Sequence, residues 1–268
     1  MDGLKRILGV IGFLFLAAGF SSASFIQIGV TVSSPDIVTE NEIILNFSVS
    51  NTGDEAAHDV QVSLALPDGF TSEPVYMGVL EPNRPFSGGF RIVISDSVKP
   101  GTYPVVLTTH YTDANAYPFS TVSPTFIRYR RPTPIKLRGE VSEVKLYGEA
   151  EKDLTLKISN LDERPHKVGV RLHLPDELKA TYYSTEVNVD ARGVGTVTIP
   201  IRSFGALGGS SYLVFATMEY EQDGLHYAST ASGMASILAE QEKTLPNWLP
   251  FAGLVLLVVA VVYTQLRK

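Results

Sequence analysis

Two long stretches of this chain carry the same alternation of apolar and polar residues at the same spacing. The first contains Leu45-Asn46-Phe47-Ser48-Val49-Ser50-Asn51 and the second Leu154-Thr155-Leu156-Lys157-Ile158-Ser159-Asn160. Leu45, Phe47 and Val49 share one side of an extended chain, and Asn46, Ser48 and Ser50 the other. Leu154, Leu156 and Ile158 repeat the apolar side. A period of two means a strand with one face buried. Val60 to Leu66 and Val168 to Leu174 alternate in the same way, and each run stops at a Pro-Asp pair, Pro67-Asp68 and Pro175-Asp176. Proline cannot donate to a ladder, and aspartate starts turns.

Three landmarks keep one offset. Asn51 and Asn160, Tyr103 and Tyr212, and Tyr111 and Tyr220 each lie 109 positions apart. The first copy reads as strands near Ile26–Val32, Glu42–Ser50, Asp59–Leu66, Val75–Val79, Gly89–Ile94, Thr102–Tyr111 and Tyr117–Ile127. Between them lie Pro35-Asp36, Asn51-Thr52-Gly53-Asp54, Pro67-Asp68-Gly69, Pro82-Asn83 and Pro100-Gly101. Short strands with regular turns predict an immunoglobulin-like sandwich in each copy. The chain has no cysteine, so this is the disulfide-free kind. The paired tyrosines are expected at a late strand, one of them making a tyrosine-corner hydrogen bond.

The expected fold class is all-β: two tandem immunoglobulin-like β-sandwiches plus one C-terminal transmembrane helix. The expected organisation is a signal peptide at 1–24, a first domain at 25–127, a linker at 128–134, a second domain at 135–238, a stalk at 239–247, a transmembrane helix at 248–266 and a tail at 267–268.

Val49-Ser50-Asn51-Thr52-Gly53, Ala57, Val60, Val62, Leu66-Pro67-Asp68-Gly69 and Pro100-Gly101-Thr102-Tyr103 resemble the cell-adhesion-related (CARDB-like) and S-layer-associated Ig-like domains of bacteria and archaea. They are similar also to Ig-like modules appended to secreted glycosidases. The second copy departs from the pattern, with Leu161-Asp162-Glu163 for the Thr-Gly pair and Gly208-Gly209-Ser210-Ser211 for Pro-Gly-Thr. The resemblance implies a non-catalytic surface module that spaces, adheres or assembles.

The two ends bear on location. Lys5 and Arg6 precede the apolar run Ile7 to Phe20, and Ser22-Ala23-Ser24 follows. This is the order of a secretory signal, with Phe25 as the mature start; the alternative is an uncleaved N-terminal anchor. From Leu249 to Leu266 a second apolar run covers about 27 Å as a helix. Trp248 and Tyr263 sit at its edges and Arg267 and Lys268 just beyond, the arrangement of a single-span anchor with a cytoplasmic C-terminus. The bulk of the chain is then extracytoplasmic, either periplasmic or on the cell surface.

Outside these ends the chain holds 18 basic and 27 acidic residues. That balance argues against a nucleic-acid partner. Without cysteine there are no disulfides, thiolate metal sites or cysteine nucleophiles. The histidines, His58, His110, His166, His173 and His226, form no metal-type pair. His58 and His166 read as equivalent structural positions, and His110 and His173 as surface or edge residues. No Gly-x-Ser-x-Gly elbow or phosphate-cradling glycine loop is present. Asp113 with Asn115, and Glu221 with Asp223, fall in matching hairpins and read as polar turns, too few for calcium. No catalytic, cofactor-binding or metal-binding residue is expected.

Three features read as contact candidates. Arg128, Arg130, Arg131, Lys136 and Arg138 crowd the join between the copies, as a solvated linker or as a contact for an anionic polymer. Two prolines there, Pro132 and Pro134, suggest domains held end to end, with the second near the membrane. Asn46-Phe47-Ser48 is a glycosylation sequon whose asparagine points outward. Gly88-Gly89 beside Phe86 and Phe90, and the Tyr76-Met77 strand, read as adhesive edges. The expected function is a non-enzymatic, membrane-anchored envelope protein serving adhesion, spacing or assembly with a protein or glycan partner. The alternative is an accessory subunit of a membrane export, transport or polysaccharide complex.

Overall fold

The computed structural model describes residues 25–239, and among these there are seventeen strands and no helix. The signal peptide expected at 1–24, the transmembrane helix at 248–266 and the anchor residues Trp248, Tyr263, Arg267 and Lys268 lie outside the described residues.

The first sandwich has β1 (Ile28–Ser33), β2 (Glu42–Asn51), β3 (Ala57–Ala65), β4 (Phe70–Thr71), β5 (Val75–Leu80), β6 (Phe86–Ile94), β7 (Gly101–Thr112) and β8 (Pro118–Tyr129). One sheet runs β1-β2-β6-β4; the other carries β5, β3, β7 and β8 as neighbours. The alternating side chains close the core between them: Leu45, Phe47 and Val49 from β2, Val60 and Val62 from β3, Phe90 and Ile92 from β6, and Val105 and Leu107 from β7. The second sandwich has β9 (Leu137–Val141), β10 (Val144–Tyr147), β11 (Lys152–Asn160), β12 (His166–His173), β13 (Leu178–Ala180), β14 (Ser184–Val189), β15 (Val194–Ser203), β16 (Ser211–Gln222) and β17 (Leu225–Leu238). The sheet β9-β11-β15-β13 faces β14-β12-β16-β17, with β10 parallel to the end of β17. Leu154, Leu156 and Ile158 meet Val170, Leu172, Ile199 and Met218 in a separate core.

The sequence repeat is a repeat of hydrogen bonds. The Asn51 amide donates to the carbonyls of Glu55 (2.7 Å) and Leu80 (3.4 Å), and its Oδ1 accepts from Gly53 N–H at 3.0 Å. Asn160 donates to Arg164 (2.7 Å) and Val189 (3.4 Å) and accepts from Asp162 N–H at 2.9 Å. These three partners are each displaced by the same 109 positions; Asn51 accepts in addition from Gln27 N–H at 3.3 Å, and Asn160 donates in addition to the Asp190 carbonyl at 3.0 Å. Both asparagines are buried, where an amide is tolerated only with its donors and acceptor satisfied. A parallel bridge from Val38 to Tyr129 likewise reappears as Tyr147 opposite Leu238.

One local departure has a plain cause. Asn51 to Val60 is nine steps, whereas Asn160 to Val168 is eight. The extra residue is absorbed by a bulge in β3, where the register shifts between Ala57 and Gln61 and Asp59 takes a φ of 49°. A bulge of this kind bends a strand and locally disrupts its ladder. His58 and His166 therefore differ. His58 lies in the bulge, whereas His166 is buried, stacked on Tyr220 at 4.1 Å and 3.1 Å from the Asp162 carboxylate.

The sandwiches do not stand end to end. Contacts between them run the length of β7, from Gly101 at one end to His110 and the β8 start at the other. Val106, Val122 and Ala228 are buried yet belong to neither core. They lie on the outward sides of β7, β8 and β17, and β8 lies against β16. The end-to-end expectation follows from linker stiffness alone. An apolar outward stripe on β7 and β8 gains more by being covered, and folds the pair side by side.

Candidate functional site

The seam between the sandwiches gathers most of the buried polar groups that a simple tandem array would not need. At one end Gly101 pairs with His226 in a parallel bridge, and His226 N–H donates to the Pro100 carbonyl at 2.9 Å. A Cβ on residue 101 would lie 2.3 Å from the His226 carbonyl oxygen, so only glycine admits the approach. The Tyr103 ring stacks on the His226 imidazole at 4.1 Å and 7°. Its hydroxyl donates to the Lys99 carbonyl at 2.7 Å, four residues back, which is the expected tyrosine-corner bond. Thr133 locks the join: its hydroxyl donates to the His226 carbonyl at 2.8 Å, and its N–H to Thr102 Oγ1 at 3.1 Å. Lys99 pairs with Glu221 across the same end. Beside these residues is a cleft of about 360 Å³, lined by Asp68, Arg171, Glu219 and Glu221 among others.

At the other end the Glu177 carboxylate, 4% exposed, reaches from the second sandwich to Ser120 of the first. It accepts the Ser120 N–H at 2.9 Å and the hydroxyl at 2.8 Å. The same hydroxyl accepts from Asp176 N–H at 2.7 Å. Burial pushes the Glu177 carboxyl up, against the lowering effect of the Ser120 bonds. Nearby, His110 Nδ1 lies 2.8 Å from the Asp176 carboxylate, and Tyr117 donates its hydroxyl to the Gly205 carbonyl. A cleft of about 410 Å³ opens here between Tyr111, Tyr117, Phe119, His110, Asp176 and Phe204. Burial pushes the Tyr111 hydroxyl up to about 12, so the phenol is neutral and can donate.

This end brings together Asp176, His110 and Ser120, with His110 and Ser120 opposite each other on β7 and β8. Chemically it is not a relay. The Ser120 hydroxyl gives its proton to Glu177 and takes the Asp176 amide, so its orientation is set away from the imidazole. A serine nucleophile needs its base as hydrogen-bond acceptor. The cleft offers flat aromatic faces and carboxylate acceptors.

Sequence reasoning missed this seam because each of its residues looks ordinary in its own strand. His173, read as a surface or edge position, is desolvated near it. Burial first, and then Arg171, bring its imidazole down to about 4, and its Nε2 lies 3.2 Å from Thr217 Oγ1. Of the basic residues at the join, Arg128, Arg131 and Arg138 are exposed. Arg130 covers the Tyr129 ring at 4.6 Å and donates to Asn41. Lys136 is committed to Asp162 at 2.8 Å; that bond, with His166, holds the Asp162 carboxyl at about 2. Asn46 is exposed on β2. Gly88 and Gly89 make room for Phe47 and Ile44, and Phe90 is core, so that site is packing rather than an adhesive patch. Tyr76 is 67% exposed on β5, which pairs only with β3. Asp113 caps its own hairpin, accepting Asn115 and Tyr117 N–H at 2.8 Å each. Among the described residues no cluster of three or more His, Cys, Asp or Glu is placed to hold a metal.

Over the described residues the chain is a pair of immunoglobulin-like β-sandwiches. Residues 40–112, from just before β2 to the end of β7, match the NPCBM-associated, NEW3 domain of alpha-galactosidase. No curated protein matches the chain. Among solved structures it is similar to a mutant of Salmonella alpha-2-macroglobulin at 14% identity and a TM-score of 0.34, over 80% of this chain and 16% of that one. It is also similar to the YadV chaperone at 15% identity and a TM-score of 0.29, over 76% and 98% of the two chains. A non-cellulosomal cohesin from Archaeoglobus fulgidus aligns at 14% identity and a TM-score of 0.29, over 40% and 94%. The chain thus spans about a sixth of the alpha-2-macroglobulin.

Proposed function

We propose that this is a membrane-anchored, non-enzymatic envelope protein that presents two laterally joined sandwiches outside the cytoplasmic membrane for adhesion, spacing or assembly. Its contacts are to a protein or glycan of the envelope, in the manner of cell-adhesion-related and S-layer-associated modules. The observation that carries this reading is the seam. Its buried Ser120 and Glu177 and its part-buried His226 are spent on holding two sandwiches together, which a spacer or adhesive unit needs and a hydrolase does not. The open edge of β5, where Tyr76 is exposed, supplies the contact surface. Support for the membrane comes from the apolar run with Trp248, Tyr263, Arg267 and Lys268 around it.

The test is protease shaving of spheroplasts, followed by native mass analysis in detergent. Digestion of the sandwiches from outside, with a short C-terminal fragment left in the membrane, is expected. Sandwiches cut only after lysis from the cytosolic side would sink the reading. A stable stoichiometric membrane complex would move it to the accessory-subunit alternative.

A further inference from the structure

We propose that the end of the second sandwich at which the chain leaves it rests on the lipid bilayer, with Phe204, Leu207 and Tyr147 in the headgroup zone. This rests on the anchoring reading above.

The loop between β15 and β16 flanks the last described residue. Gly209 N–H donates to the Ile237 carbonyl at 2.8 Å, and Ile237 N–H to the Ser210 carbonyl at 2.8 Å. A Cβ on Gly208 would lie 3.3 Å from Ala239 Cα. This loop exposes Phe204 (54%) and Leu207 (47%), and Tyr147 (59%) stands opposite Leu238 on β10. Three large apolar side chains thus surround the exit. Lys179 Nζ and the Arg202 guanidinium sit 5.2 and 5.9 Å from the centre of the Phe204 ring. An aromatic ring flanked by long cationic side chains suits the membrane–water boundary: the ring lies at headgroup depth, and the cations reach phosphate. Glu149, Glu151, Asp176 and Glu177 at this end offset Lys145, Lys152, Lys179 and Arg202, so apolar insertion rather than net charge selects the surface.

The tether makes lipid the natural occupant. The expected stalk, 239–247, is nine residues. Fully extended at about 3.3–3.6 Å per residue it keeps this end within roughly 32 Å of the span, so a weak surface contact acts at high effective concentration. Because Tyr117 is bonded to Gly205, the β7–β8 hairpin of the first sandwich comes to the same end.

The absence of cysteine makes the experiment direct. Full-length chain carrying Phe204→Cys, Leu207→Cys, Asp68→Cys or Val258→Cys is labelled with a fluorophore and reconstituted in phosphatidylcholine vesicles containing nitroxide lipid; Asp68 is exposed beside the cleft at the opposite end of the seam. Each variant is first required to keep the wild-type thermal transition. Headgroup-level nitroxide is expected to quench labels at 204 and 207 at least about threefold more than at 68, and deep nitroxide to quench 258. If 258 is quenched while 204 and 207 match 68, the bilayer contact is overturned and the anchor stands. If 258 is not quenched, the anchor fails and the contact with it. On the unsubstituted chain, photoreactive lipid should label the 204–210 peptide; label confined to 248–266 also overturns the proposal.

Discussion

Glu177 holds Ser120 by two hydrogen bonds, of 2.9 and 2.8 Å, from the far side of the seam. The carboxylate is nearly inaccessible, so its partners are its only compensation for lost water. Removing the hydroxyl leaves a buried carboxylate oxygen and the Asp176 amide short of a partner. Ser120→Ala is expected to cost about 2 kcal/mol, read by denaturant unfolding, and to leave any hydrolytic background unchanged. A variant as stable as wild type would show the seam to be incidental.

The pH dependence of Glu177 runs opposite to that of a paired surface acid. Its folded pKa is raised, so its contribution is fully present below the unfolded value near 4.5 and is lost as pH rises through the folded value. Glu177→Gln should therefore flatten the acid-side part of the stability profile, measured as midpoint against pH.

His173 acts in the neighbouring window. Its folded pKa is lowered from 6.5 to about 4. Above pH 6.5 both states are neutral and it contributes nothing. As pH falls from 6.5 towards 4 the unfolded chain binds the proton first, and stability declines by roughly 3 kcal/mol before levelling. His173→Gln should abolish that slope; an unchanged slope would place the titration elsewhere.

Gly101→Ala should part the sandwiches at one end without unfolding either. The new methyl meets backbone at His226, which cannot move aside as a flexible side chain does. A larger radius of gyration by solution scattering, with about 1–3 kcal/mol lost, is the expected result. Unchanged dimensions would argue that the bridge is not needed for lateral packing.

Tyr220 is buried and stacked between His166 and Tyr227, yet its hydroxyl has no hydrogen-bond partner. Burial pushes that hydroxyl's pKa well up. Tyr220→Phe is expected to be neutral or to stabilise by about 1 kcal/mol, in contrast to Asn160→Ala, which strands three carbonyls and an amide and should cost about 3 kcal/mol. Thermal unfolding distinguishes the two.

The strands were legible because their signal is local. Leu45-Phe47-Val49 and Leu154-Leu156-Ile158 state their own periodicity, and the Pro-Asp and Pro-Gly pairs state where each run stops. Even the β3 bulge is visible as one extra residue between Asn51 and Val60. The seam was not legible. Val106, Val122 and Ala228 lie on faces that alternation assigns to solvent, and Glu177 and Ser120 are 57 positions apart. Nothing in either neighbourhood announces the other.

By itself, then, the order of residues determined a repeated pair of sandwiches and the strands that face their cores, because each strand's pattern depends on neighbours along one chain. Only the tertiary structure decided that the pair lies flank to flank, that His110, Asp176, Glu177 and Ser120 meet, and that Phe204 and Leu207 frame the exit. Those relations depend on which outward face gains by leaving water, a comparison of whole surfaces that no single segment encodes.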